Sequence, residues 1–180
     1  MRTDYINRDC MGLLLTALMP QNRLALEVSM ATGLRIDDVL ALKSAHLSQR
    51  MTIREQKTGK NRRVYFPLSL YHQMLSFAGR FFVFEGRNDS RKHRTRQAVF
   101  KDLKRVSRLY RLDGRRLAEN IAPHTARKIY AVEQYRKGKS LQKVQRLLNH
   151  SSEAVTLLYA MADDLTAARL KARKTELVKK

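Results

Sequence analysis

Five short segments carry side chains suited to handling an anion. They are Ala31-Thr32-Gly33-Leu34-Arg35, Gln56-Lys57-Thr58-Gly59-Lys60, His124-Thr125-Ala126-Arg127, Leu148-Asn149-His150-Ser151, and Tyr159, nine residues past His150. A guanidinium grips an oxyanion through a planar fork. An imidazole exchanges protons near neutral pH, an ammonium can donate one, and a phenol can act as a nucleophile. Singly, each segment has an ordinary reading. A glycine before an arginine caps a helix, and Lys-Thr-Gly makes a hairpin turn. His and Arg three apart share a helix face as a surface pair, and a tyrosine in step with Val155 and Leu158 packs into a core. Order and spacing lift the set above those readings.

Composition narrows the partner. The chain has 180 residues, 37 of them Lys or Arg and 16 Asp or Glu, for a formal charge of +21. Arg outnumbers Lys by 23 to 14, and residues 86–116 alone hold twelve basic side chains against Asp89, Asp102 and Asp113. Such an excess concentrates polyanions and steers their approach. No helix combines a broad aromatic face with a basic one, as a lipid-binding helix does, so nucleic acid is the leading partner. The single cysteine, Cys10, predicts neither a disulfide framework nor a multi-cysteine zinc site. The longest mostly apolar run, residues 10–20, is short of the ~18 residues that span a membrane. It also lacks the leading basic region of a secretory signal. The expectation is a single soluble, cytoplasmic unit without membrane contact.

The elements that must hold these side chains read as two helices, a short sheet, then helices to the end. Residues 8–18 predict a helix stopped before Pro20. Leu24, Val28 and Ala31 line a second, with Gly33 as its terminator, and residues 36–42 give a third. Met51 and Ile53, then Val64 and Phe66, alternate with polar residues around Lys57-Thr58-Gly59-Lys60-Asn61, which predicts a β-hairpin. Leu70, Met74 and Phe77 mark a helix ending near Gly79, and the aromatic run 81–84 predicts a third, buried strand. Residues 95–110 set Val99, Leu103, Val106 and Tyr110 against Lys101, Lys104, Arg105 and Arg108, a helix with a core face and a basic face. Helices follow over 125–137, 141–148 and 152–161, with a weakly striped helical tail at 163–180. The fold class expected is mixed α/β, mostly α-helical with a small antiparallel three-stranded sheet.

In this order, the segments resemble the catalytic domain of the tyrosine recombinases, the phage integrase family, whose signature runs Arg…Lys…His-x-x-Arg…His…Tyr. Arg35 ends the Thr-Gly-Leu-Arg motif, Lys57 sits on the hairpin, His124 and Arg127 form the His-x-x-Arg pair, and His150 and Tyr159 follow at the family's usual gap of nine. The resemblance implies cleavage and rejoining of DNA through a 3′-phosphotyrosine with a free 5′-hydroxyl, without ATP, cofactor or metal. Neither a GxxxxGK[ST] loop nor a two-metal carboxylate cluster is visible in the sequence. Arg35 and Arg127 would bracket the non-bridging phosphate oxygens, Tyr159 would attack phosphorus, and Lys57 would protonate the leaving alkoxide. His124 is a candidate for accepting the phenol proton and His150 for a hydrogen bond to the phosphate, and spacing alone does not fix that division.

Asp38, three residues past Arg35 where the family commonly has Glu, either orients that arginine or is an ordinary helix-start acid. Lys60, Arg62, Arg63, Arg91, Lys92, Arg94, Arg96, Lys101, Lys104 and Arg105 are expected to contact double-stranded DNA. Asn149 stands where the family has Gly, and asparagine tolerates left-handed backbone angles. Thirty residues precede Ala31, so the N-terminal core-binding domain of most relatives is expected to be absent. The chain would then be a short form similar to the fimbrial-switch invertases, or a fragment begun at an added Met1. The domain reading is a catalytic domain over 1–162, with the 163–180 tail helix either exchanged between subunits or frayed. The resemblance further implies a homotetramer on synapsed DNA, a monomer or weak oligomer when free, accessory DNA-bending proteins, and a bacterial or phage-encoded, nucleoid-associated setting. Two alternatives stand beside it: a type IB topoisomerase, and a catalytically idle DNA-binding remnant.

Overall fold

The structure, a computed structural model, describes residues 3–112 and 115–149. Two helices open it. Asn7 caps α1 (Arg8–Thr16) by accepting from the Cys10 amide at 2.8 Å. Pro20 occupies the first turn of α2 (Pro20–Thr32), where its missing N–H costs nothing. Leu24, Ala25, Leu26, Val28, Ser29 and Met30 are all buried. A helix enclosed on so many sides is a central one, and α2 packs against α3 (Ile36–Leu40), α4 (Leu68–Phe77), α5 (Arg96–Ser107) and α6 (His124–Arg136).

Between α3 and α4 lies the hairpin of β1 (Arg50–Arg54) and β2 (Asn61–Tyr65), antiparallel with Met51 opposite Val64 and Ile53 opposite Arg62. Inward and outward positions alternate as the pleat demands. Ile53 and Glu55 point in from one arm, and Arg62, Val64 and Phe66 from the other. Thr95 caps α5, accepting from the Ala98 amide at 3.1 Å. Val99, Leu103 and Val106 enter the core while Lys101, Lys104 and Arg108 face solvent, as the two-faced pattern predicts. After β3 (Arg111–Leu112) and β4 (Arg115–Arg116) come α6 and the short α7 (Leu141–Leu147).

The sheet differs from the expected three-stranded one. Among the described residues there are two separate two-stranded ladders, β1–β2 and β3–β4, and residues 81–84 form no strand. Val83 and Phe84 are buried, as the apolar run requires. However, the backbone there splits its bonds between two neighbours. The Val83 amide donates to Leu42 O at 2.9 Å, while Phe84 O accepts from the Arg94 amide at 2.7 Å. Only the isolated bridges Lys43–Phe82 and Glu85–His93 result, because neither neighbour runs alongside long enough to build a ladder. The helix expected over 152–161, the tail at 163–180, and His150 and Tyr159 lie outside the described residues.

Candidate active site

Gly33 ends α2 with φ +69°, a left-handed conformation that glycine adopts without strain. The turn delivers Arg35 as the N-terminal flank of α3, and the Gly33 carbonyl faces inward. That carbonyl accepts from two arginines remote in sequence: Arg62 Nη1 at 3.1 Å and Arg127 Nη1 at 2.8 Å. Arg62 Nη2 also donates to Thr32 O, and Arg127 Nη2 to Leu148 O. Leu148 ends α7 and adjoins Asn149, whose φ of 48° is the left-handed geometry the asparagine allows. Arg127, with 1% of its surface exposed, thus links the Arg35 turn to the segment that leads to His150.

The Lys57 turn joins the same cluster through a residue the motif does not contain. Glu55 closes the base of the turn: its amide donates to Lys60 O at 3.0 Å, and its carbonyl accepts from the Gly59 amide at 2.8 Å. Its carboxylate is fully buried and accepts from Arg35 Nη1 at 2.5 Å. Thr58 Oγ1 donates to it at 3.0 Å and Arg62 Nη1 at 3.5 Å. Burial alone would raise the Glu55 carboxyl, but the Arg35 hydrogen bond and charge, with Thr58 and Arg127, hold it below the usual carboxylate range. Lys57 itself is exposed at the tip of the turn.

His124 opens α6 and is partly buried. Burial first, then the charges of Arg127, Lys128, Arg35 and Arg96, lowers its pKa to about 4. At neutral pH it is an uncharged imidazole able to take up a proton. Asp38 lies beneath this cluster, 3% exposed. Its Oδ1 accepts from the Gln56 amide at 2.9 Å, and burial outweighs that bond to push its carboxyl up. Asp38 therefore braces the Lys57 turn, whereas the carboxylate bonded to Arg35 is Glu55.

The cations expected to meet DNA fall into two groups. Lys60, Arg63, Arg91, Lys92, Arg96, Lys101, Lys104 and Arg105 are exposed. Arg62 and Arg94 are not, which corrects their expected place at the surface. Arg62 is held by Glu55 and two carbonyls, and Arg94 by Asn22 and, at 2.9 Å, by Gln21. For Arg62, period-two parity would have shown this, since it falls on the inward phase of β2 and Glu55, just past β1, continues that strand's inward phase.

The model of the phage integrase family matches residues 6–165. The chain is 30% identical over 146 residues to the probable integrase/recombinase YoeC of Bacillus subtilis (strain 168), covering 75% of this chain and 74% of that protein. It superposes on the catalytic domain of bacteriophage HP1 integrase with a TM-score of 0.63 at 20% identity, covering 89% of each chain. It also superposes on the XerH site-specific recombinase bound to a palindromic difH substrate, in a post-cleavage complex. There the TM-score is 0.69 at 18% identity, over 88% of this chain and 49% of that one. This chain thus spans about half the length of that larger relative.

Proposed function

Because this chain belongs to the phage integrase family, the tyrosine recombinases, we propose that it cleaves and rejoins double-stranded DNA at a specific site through a phosphotyrosyl intermediate. The observation that carries the reading is the shared anchorage of the reactive groups. Arg127 and the Arg35 turn meet at the Gly33 carbonyl, and the Lys57 turn meets Arg35 at Glu55. Arg35, the Lys57 turn and Arg127 are thereby tied into one cationic cluster, and His124 lies near enough to feel the charges of Arg127 and Arg35. The similarity to XerH, whose structure holds its difH substrate, supports DNA as the partner.

The reaction runs as a phosphoryl transfer. The Tyr159 oxygen attacks phosphorus while its proton passes to a histidine, His124 being neutral and so able to receive it. A P–O(tyrosine) bond forms and the P–O5′ bond breaks. Lys57 gives a proton to the departing 5′-oxygen. Arg35 and Arg127 stabilise the charge that gathers on the non-bridging oxygens. Attack by a 5′-hydroxyl of a second strand reverses each step, so the ester bond energy is kept. His150 hydrogen-bonds the phosphate.

Residues 1–162 act as the catalytic domain in this reading, and 163–180 as a tail exchanged between subunits of a tetramer on synapsed DNA. Among the described residues no helix is long and apolar enough to cross a membrane. The test is a nicked suicide duplex carrying the site recovered by trapping. Wild type should become covalently joined to it and Tyr159→Phe should not. If wild type binds but never joins, the chain is a binding protein only. Joining without synapsis of two sites would instead favour topoisomerase-like chemistry.

A further inference from the structure

We infer that Glu55 is the positioning residue of the site, setting the direction of Arg35 and the register of the Lys57 turn with one carboxylate. This rests on the recombinase reading above. An ionised carboxylate with none of its side chain exposed is costly unless its oxygens are fully paired. Here they are. Oε2 accepts from both Arg35 Nη1 and Thr58 Oγ1, and Oε1 faces Arg62. A single oxygen therefore ties the arginine aimed at the phosphate to the turn that presents the general acid.

The Arg35 side chain is 17% exposed, and the described residues make no other hydrogen bond to its guanidinium. Glu55 takes one Nη and leaves the remaining N–H groups to a phosphate. A guanidinium anchored at one end keeps its plane, and a fixed plane is what bidentate anion binding needs. Arg62 completes the mount from behind, since it pairs with Glu55 while gripping the Thr32 and Gly33 carbonyls that precede Arg35. Asp38, the acid nearer in sequence, makes no bond to Arg35 and holds the Gln56 amide instead.

The test uses the full chain and the nicked suicide duplex in two forms, one with an ordinary scissile phosphate and the other with a neutral methylphosphonate. Glu55→Gln should bind DNA like wild type yet cleave the phosphate duplex about a hundredfold more slowly in a single turnover, the cost of misplacing a reacting group by about 1 Å. The methylphosphonate lacks one non-bridging oxygen and its charge, leaving less for Arg35 to stabilise, so most of that deficit should vanish. Glu55→Asp should recover part of the rate on the phosphate. Equal losses on both duplexes would reduce Glu55 to a scaffold residue and overturn the inference, as would a wild-type rate in Glu55→Gln. Absence of any wild-type adduct would remove the activity itself, and the inference with it. If Glu55→Gln fails to fold, the wild-type protein decides. Nitrogen-15 spectra should show two distinct, slowly exchanging Arg35 Nη signals, and a single averaged signal would contradict an anchored guanidinium.

Discussion

The Gly33 α-carbon lies against the ring of Tyr130, so close that a β-carbon there would stand 2.4 Å from Cδ1 and 2.5 Å from Cε1. The contact seats the Arg35 turn on α6, the helix that carries His124 and Arg127. Gly33→Ala meets two penalties at once: a left-handed φ of +69° and a collision with a buried ring. It should cost about 1–3 kcal/mol for the backbone conformation alone, and more for the overlap. Urea denaturation measures this. Adding Tyr130→Leu should return the overlap part and leave the backbone part.

Arg62 and the α5 lysines should fail in opposite ways. Arg62→Met removes a partner of a buried carboxylate and the donor to two carbonyls, so a loss of about 3–5 kcal/mol of stability is expected. The salt dependence of DNA binding should not change. Lys101→Ala and Lys104→Ala, both at exposed positions, should leave the melting temperature alone. Each should weaken DNA binding and flatten the log K against log salt slope by about 0.9 for every phosphate no longer neutralised. Thermal melts and salt titrations on the same variants separate the two groups.

His124 should stay neutral through the physiological range. Its folded pKa, about 4, lies below the ordinary value of 6.5, so the unfolded chain takes up this proton first. The contribution of neutral His124 to stability is therefore whole above pH 6.5 and is lost as pH falls from there toward 4. Proton NMR of the His124 ring should show no titration between about pH 8 and 6. A midpoint near 6.5 would mean the ring is solvated.

Asp102 should act as a tie between helices. It accepts from the Met19 amide at 2.9 Å, Asn22 Nδ2 at 2.7 Å and Arg105 Nη2 at 2.7 Å, joining the start of α2 to α5. Burial opposes its ionisation, but these donors prevail and lower its pKa. Its stabilising effect is thus present above the unfolded carboxylate pKa and fades as pH drops through the folded value. Asp102→Ala should cost about 2–4 kcal/mol because three donors lose their acceptor, and that difference from wild type should shrink in acid.

Local chemistry made much of this architecture readable. Gly33 announced a helix end, Lys57-Thr58-Gly59 a hairpin, and Val99, Leu103 and Val106 a helix face, because each depends on neighbours in sequence. Family spacing pointed to Arg35, His124 and Arg127. The mounts behind them were harder to read. Whether Arg62 meets DNA or Glu55, and whether Arg35 is held by Asp38 or Glu55, depends on which strand faces which helix, a tertiary fact. Arg94 looked like a surface cation among many and proved to be an internal clamp on Asn22. The run 81–84 had strand composition, yet pairing needs a neighbour of equal length, which composition does not encode.

The most direct test digests the trapped protein–DNA adduct with trypsin and locates the nucleotide by mass spectrometry. The fragment 147–169 contains one tyrosine, Tyr159, beside Ser151, Ser152, Thr156 and Thr166 as rival hydroxyls. A 3′-linked nucleotide on Tyr159 is the result expected. A nucleotide on any other side chain, a 5′ linkage, or no adduct from a wild-type protein that binds the site would contradict the central claim.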